Sequence, residues 1–193
     1  MFDFLKNKTF VLFVIKFLLL FLFCYFGTQA VIGLTVPGGP YSPFVAKYLD
    51  YVSWLRNSLL AGTKGMLSAF GIETFRVNFD TMRKVGTGGR GIRLAYSCLG
   101  YGVMSFWIAY VIASAGNFKK KLLWVIIGWF FIWLLNIIRL SLLLVALNKG
   151  WAMPLGIDHH TWFTIFAYLF ILTFMLLFNR RAKQQIIKPA EKK

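Results

Sequence analysis

A chain of 193 residues that is 59% hydrophobic, 19% aromatic and only 15% charged, with a mean hydropathy of +0.67, carries more apolar surface than one soluble core can hide; soluble domains run at about 45–50% apolar and about 25% charged. Six acidic residues against 22 Lys and Arg give a net charge of +16. A nucleic-acid binder would gather that charge on a polar face, whereas much of it here flanks apolar runs and reads as membrane topology and headgroup attraction. Two cysteines without a Cys-x-x-Cys spacing exclude a disulfide-stapled mini-domain and a zinc finger. The class left is an all-α, polytopic membrane protein forming a single integral-membrane domain over residues 1–193.

Four apolar runs approach or exceed the roughly 20 helical residues needed to cross about 30 Å of hydrocarbon: 9–27, 96–117, 122–148 and 160–178. Each is expected to be a helix, because a lone strand in lipid leaves its backbone unsatisfied. The first run, interrupted by Lys16, follows a basic start as a signal peptide would. Its length and the lack of a clean Ala-x-Ala site point instead to an uncleaved anchor.

The outer loop, 28–95, follows. Within it Phe44 to Ile72 holds Lys47, Asp50, Arg56 and Lys64, too many charges for a lipid-facing span at about 2.5–3.5 kcal/mol each. It is expected to lie as an amphipathic helix on the outer surface, or to be partly re-entrant against the bundle. If it spanned, the orientation of everything after it would flip. Val85 to Arg93, VGTGGRGIR, is glycine-rich and predicts a turn or hairpin.

The basic residues set the orientation. Lys6 and Lys8 precede the first run, Lys119 to Lys121 separate the second from the third, and Arg180, Arg181 and Lys183 follow the fourth. All three clusters share one side if there are four spans, and the positive-inside tendency makes it the cytoplasmic side. The loop runs against this with eight Lys and Arg (47, 56, 64, 76, 83, 84, 90, 93), but these are spread out over a long segment. The expected location is the inner membrane, with both termini cytoplasmic and the basic tail, 179–193, on anionic headgroups.

Counting inward from each cluster gives the strongest signal. Cys98 lies 20 residues before Phe118 and His160 lies 20 before Arg180, roughly 30 Å along a helix. Arg139 lies 18 residues after Lys121, roughly 27 Å. Three helices thus carry a thiol, a guanidinium and an imidazole to one depth, the outer boundary of the bilayer. An arginine within NIIRLSLLL is costly in lipid and should face the bundle interior, with Asn136 three residues earlier on the same face. Cys98 lies in YSCLGYG, where Gly100 and Gly102 permit close approach. Cys24, in an apolar run, reads as structural, and nothing argues for pairing it with Cys98. Asp158 reads as a helix N-cap. Asp158, His159 and His160 are adjacent and point different ways, so no metal site is expected.

Cysteine, histidine and arginine form a reaction set. A thiolate attacks a peptide carbonyl, a histidine carries the proton to the leaving amine, and a cation stabilises the oxyanion. The chain resembles the exosortase/archaeosortase family of membrane-embedded cysteine transpeptidases through three short motifs in order. These are Cys98-Leu99-Gly100, where many members have Cys-Ser-Gly, then Asn136-Ile137-Ile138-Arg139, then His160 opening the last helix. The family histidine is usually followed four residues later by a small residue or Asn; Thr164 answers from His160 and Phe163 from His159, so His160 is preferred and His159 is placed in support. The resemblance covers 96 to about 168, under half the chain. It implies Cys98 as nucleophile, His160 as general acid and base and Arg139 as oxyanion stabiliser, with Asn136 and Gly100 supporting them.

It implies as substrates the C-terminal sorting signals of exported, membrane-anchored proteins, cut at the outer face, with membrane lipids around the enzyme and a cell-surface polysaccharide or lipid as acceptor. No cofactor, metal or nucleic acid enters this reading. The alternative from another class is a non-catalytic assembly or transport factor whose Arg139 and His160 bind anionic lipid or polysaccharide headgroups.

Overall fold

The structure is a computed structural model and describes residues 8–36, 39–86, 88–151 and 159–187, the last stretch without the side chains of 159–160, 163–164, 167 and 181–187. It is mostly helical. Helix α1 runs Lys8–Thr35, α2 Pro43–Tyr48, α3 Tyr51–Ala69, α4 Tyr101–Ala113, α5 Phe118–Lys149 and α6 His159–Ile187. Between α3 and α4 lie three short strands: β1 Thr74–Arg76, β2 Thr81–Lys84 and β3 Gly91–Arg93.

Among the described residues two helices, α1 and α5, are long and apolar enough to cross a membrane. Both are near-continuous Leu, Ile and Phe, and both leave large apolar side chains uncovered, among them Leu19, Phe23 and Phe26 on α1 and Leu123, Ile126 and Phe130 on α5. Water tolerates few contiguous apolar faces of that kind. Helix α5 starts where the Asn117 side chain accepts from Lys119 N at 2.9 Å and stops at Gly150, which takes the left-handed conformation at φ 64°.

The helices are joined by aromatic contacts. Helices α1 and α4 run antiparallel, with Phe13 against Tyr110, Phe17 and Phe21 against Phe106, and Tyr25 against Tyr101. Gln29 extends this row by donating to Tyr101 Oη at 2.7 Å. Trp107 of α4 donates to the carbonyl of Trp124 on α5 at 3.0 Å, and its ring lies over Gly128. Helix α6 packs antiparallel on α5 through Phe131 with Phe174 and Trp124 with Phe178, and Tyr110 donates to Asn179 at 3.0 Å.

Three elements differ from the sequence expectation. The expected helix over 96–117 is shorter: 96–98 form a 3-10 turn and α4 begins only at Tyr101, because Gly100 at φ 77° breaks the helical path. Its 13 residues fall short of a bilayer's thickness. The expected single amphipathic segment is split into two helices, α2 and α3, and α3 packs against α5, the bundle side of its two expected placements. Trp54 stacks on Trp129, Trp133 donates to Ser58 Oγ at 3.0 Å, and Gly62 faces Ile137. Each pair advances four residues on both helices, so α3 and α5 run parallel. Val52, Leu55, Arg56, Leu59, Leu60, Thr63 and Leu67 form the buried face, a 3.6-residue stripe. Asp50 caps the helix by accepting from Ser53 N at 2.9 Å, and Lys64 is exposed, so those two charges stay out of the core.

The third difference is the sheet, which an all-α reading lacks. It is antiparallel in the order β1-β2-β3, with Phe75 opposite Arg83 and Met82 opposite Ile92. The glycine-rich 85–90 joins β2 to β3, where a turn or hairpin was expected. Met82, Ile92 and Leu94 bury one face. Asn148 ties the hairpin to the end of α5 with two bonds: its Oδ1 accepts from Arg90 N at 2.8 Å and its Nδ2 donates to Arg90 O at 3.1 Å. Arg93 and Asp80 pair at 2.7 Å, and Thr81 donates to the same carboxylate at 2.8 Å.

Burial pushes the Asp80 carboxyl up, but the bonds from Arg93 and Thr81 and the Arg93 charge outweigh it and hold its pKa below the ordinary carboxylate value. The folded chain then binds fewer protons there than the unfolded one. The resulting stability is complete above the ordinary carboxylate range and is lost as pH falls through the lowered folded value. Protection factors for amide exchange in β2 and β3, which are corrected for intrinsic rate, should fall on entering that acidic window, and Asp80→Asn should remove the Asp80 share of that fall. A methyl at Gly128 would overlap the Trp107 indole. Gly128→Ala should therefore destabilise by about 1–3 kcal/mol, read as a lower melting temperature in detergent by tryptophan fluorescence.

Candidate functional site

Strand β3 leads through Leu94 and Ala95 into the turn that carries Cys98. Ala95 is extended, and the turn closes with Cys98 N donating to Ala95 O at 2.9 Å and Leu99 N to Tyr96 O at 3.1 Å. Leu99, fully buried, anchors the turn in the core. The thiol of Cys98 is half-buried, with Ser97 Oγ 4.0 Å away. Gly100 then starts α4 in a left-handed conformation that also brings its backbone against Asn136.

Across the gap, α5 presents Asn136 and Arg139 one turn apart. Arg139 Nη2 lies 3.9 Å from Cys98 Sγ. Asn136 is 1% exposed; its Nδ2 donates to Ile132 O at 3.1 Å, and its Oδ1 is buried without a partner among the described residues. Gly100, Asn136, Leu135 and Phe170 line a void of about 20 Å³ at this level, enough for one buried water. The structure therefore brings together Cys98, Gly100, Asn136 and Arg139 from a 3-10 turn and two helices.

His159 and His160 open α6, and their side chains lie outside the described residues, as does Asp158. The aromatic contacts of α6 with α5, Phe131 with Phe170 and Phe174 and Trp124 with Phe178, lie further along α6 than its first turn. Cys24 sits on α1, and both cysteines are free thiols.

A cation beside a sulfur can stabilise negative charge on that sulfur or on an oxygen developing next to it. One residue of this neighbourhood escaped the motif reading: Arg56, buried on α3 beside Tyr96 of the cysteine turn. Its signal was its place in the apolar stripe Val52, Leu55, Leu59, a position a solvated arginine does not take.

Comparison of the chain with protein-family models, with curated proteins and with solved structures returns no match.

A side chain at Gly100 would meet two obstacles. The left-handed backbone costs a non-glycine residue roughly 1–2 kcal/mol, and a methyl would overlap Asn136 Nδ2. Gly100→Ala should lower the melting temperature in detergent, and adding Asn136→Ala should recover the steric part alone. A double-mutant cycle should give a coupling of about 0.5–3 kcal/mol.

Proposed function

We propose that the protein is a cysteine endopeptidase or transpeptidase similar to the exosortase/archaeosortase family. On this reading it crosses the inner membrane four times with both termini cytoplasmic, and it acts on C-terminal sorting signals of exported, membrane-anchored proteins at the outer face. The single observation that carries it is the 3.9 Å approach of Arg139 to Cys98, made by residues 41 positions apart on an otherwise apolar scaffold. The two long apolar helices and their uncovered Leu and Phe side chains support the membrane setting.

In this mechanism Cys98 gives its thiol proton to His160, and the thiolate attacks the scissile carbonyl carbon, forming a carbon–sulfur bond and placing the carbonyl electrons on oxygen. Arg139, beside the sulfur, is within reach of that oxyanion. His160 gives its proton to the leaving nitrogen as the carbon–nitrogen bond breaks, leaving a thioester on Cys98. Water, or an amine or hydroxyl acceptor, then gives a proton to His160 and attacks the thioester; the carbon–sulfur bond breaks and the Cys98 thiolate takes that proton from His160. Asn136 and Gly100 hold the turn and the helix in register.

Cells carrying Cys98→Ala should accumulate exported proteins that retain an apolar C-terminal anchor, seen as heavier species in the membrane fraction. Arg139→Ala should slow their processing by about 10²–10³. Unchanged processing with Cys98→Ala would instead assign the chain to the headgroup-binding class. In a Cys24→Ser background, a membrane-impermeant maleimide applied to spheroplasts should label Cys98; labelling only after lysis would reverse the topology.

A further inference from the structure

Helix α3 buries a cation. Arg56 is 5% exposed and lies on the buried face of α3, turned away from Trp54, Ser58 and Gly62, which meet α5. Its guanidinium carbon sits 4.6 Å from the ring centre of Tyr96 and 5.2 Å from that of Phe79, and its Nε is buried without a hydrogen-bond partner. The described carboxylates are engaged or distant along the fold. Asp50 caps α3 itself, Asp80 holds Arg93 and Thr81, and Glu73 is exposed just before β1.

A guanidinium stays ionised throughout the accessible pH range, and a buried charge lacking an opposite partner is strongly destabilising. The two rings recover part of the loss, but they accept none of the N–H bonds in the guanidinium plane. The two rings differ in exposure. Tyr96 belongs to the half-buried cysteine turn, whereas Phe79 sits in the β1–β2 connection and is 61% exposed, so its displacement would open the cation to the outside.

We infer that Arg56 is the anchor of an anion site that takes a carboxylate, entering under Phe79 and lying beside Tyr96, two residues ahead of Cys98. A planar carboxylate matches the guanidinium fork edge to edge in a bidentate pair. Its two oxygens can lie in the guanidinium plane, whereas a phosphate carries oxygens out of that plane, toward the rings. The site requires nothing of Cys98 as a nucleophile, so Cys98→Ser protein should behave as the unsubstituted chain does in its test.

The test is thermal unfolding of the full chain in detergent, in sodium acetate, sodium phosphate or sodium chloride at equal pH and ionic strength. In chloride, Arg56→Met should melt higher than the unsubstituted chain by about 2–8 °C, because it replaces an uncompensated charge by an apolar side chain of similar length. Acetate should raise the melting temperature of the unsubstituted chain by about 2 °C or more and leave Arg56→Met unmoved. Arg56→Lys, which keeps the charge and loses the fork, should fold and lose the acetate response, and it serves where the Met variant does not accumulate. A lower melting temperature for Arg56→Met would make Arg56 a structural clamp and overturn the inference. So would an acetate response that survives in either variant, no acetate response in the unsubstituted chain, or a larger response to phosphate than to acetate.

Discussion

A guanidinium on an apolar helix dictates which face of that helix is interior. Arg139 does this for α5: hydrocarbon would exact several kcal/mol for it, so the face with Asn136 and Arg139 has to be covered, and by something that tolerates a cation. The thiol turn is one such cover, with Sγ 3.9 Å from Nη2. The remaining elements arrange themselves around that choice. Helix α4 leaves the turn and packs back along α5, α3 takes a neighbouring face, and the small sheet lies at the end of α5 where Asn148 holds Arg90.

Aromatic side chains and glycines share the work of fixing distances. Trp107, 1% exposed, lies over Gly128 while its indole N–H reaches the Trp124 carbonyl; the close helix approach and the satisfied donor arise from one contact. Gly62 does the same for α3, admitting Ile137 and Trp133. Interlocked contacts of this kind leave little room for relative sliding of α4 on α5, and this gives a short turn such as 96–98 a defined height against Arg139. The thiol owes its placement to Leu99 in the core on one side and to the left-handed Gly100 on the other.

Much of this was legible in the residues. Continuous Leu, Ile and Phe made α1 and α5 readable, and counting from Lys119–Lys121 put Cys98 and Arg139 at one depth before any contact was known. The sheet was not legible because its strands are three or four residues long and carry Arg76, Arg83, Lys84 and Arg93 outward, leaving Met82 and Ile92 as an inward pair too short to show a period. The length of α4 was hidden because the apolar run continues through Gly100, and only the backbone dihedral reveals the break. For helix α3 a count of charges left both placements open, because the count does not say where each goes: Asp50 caps, Lys64 faces out, and Arg56 lies inward between rings.

The parallel course of α3 and α5 has a consequence for biosynthesis. Ribosomes deliver α3 first, yet its inward polar groups, Arg56 and Ser58 among them, find Tyr96 and Trp133 only in later parts of the chain. In a bilayer, α3 could not partition laterally as an autonomous span; it would wait at the surface until its neighbours had been threaded. Maturation would then finish with the docking of a tethered segment into a bundle already standing, a step on which assembly factors or quality-control proteases could act.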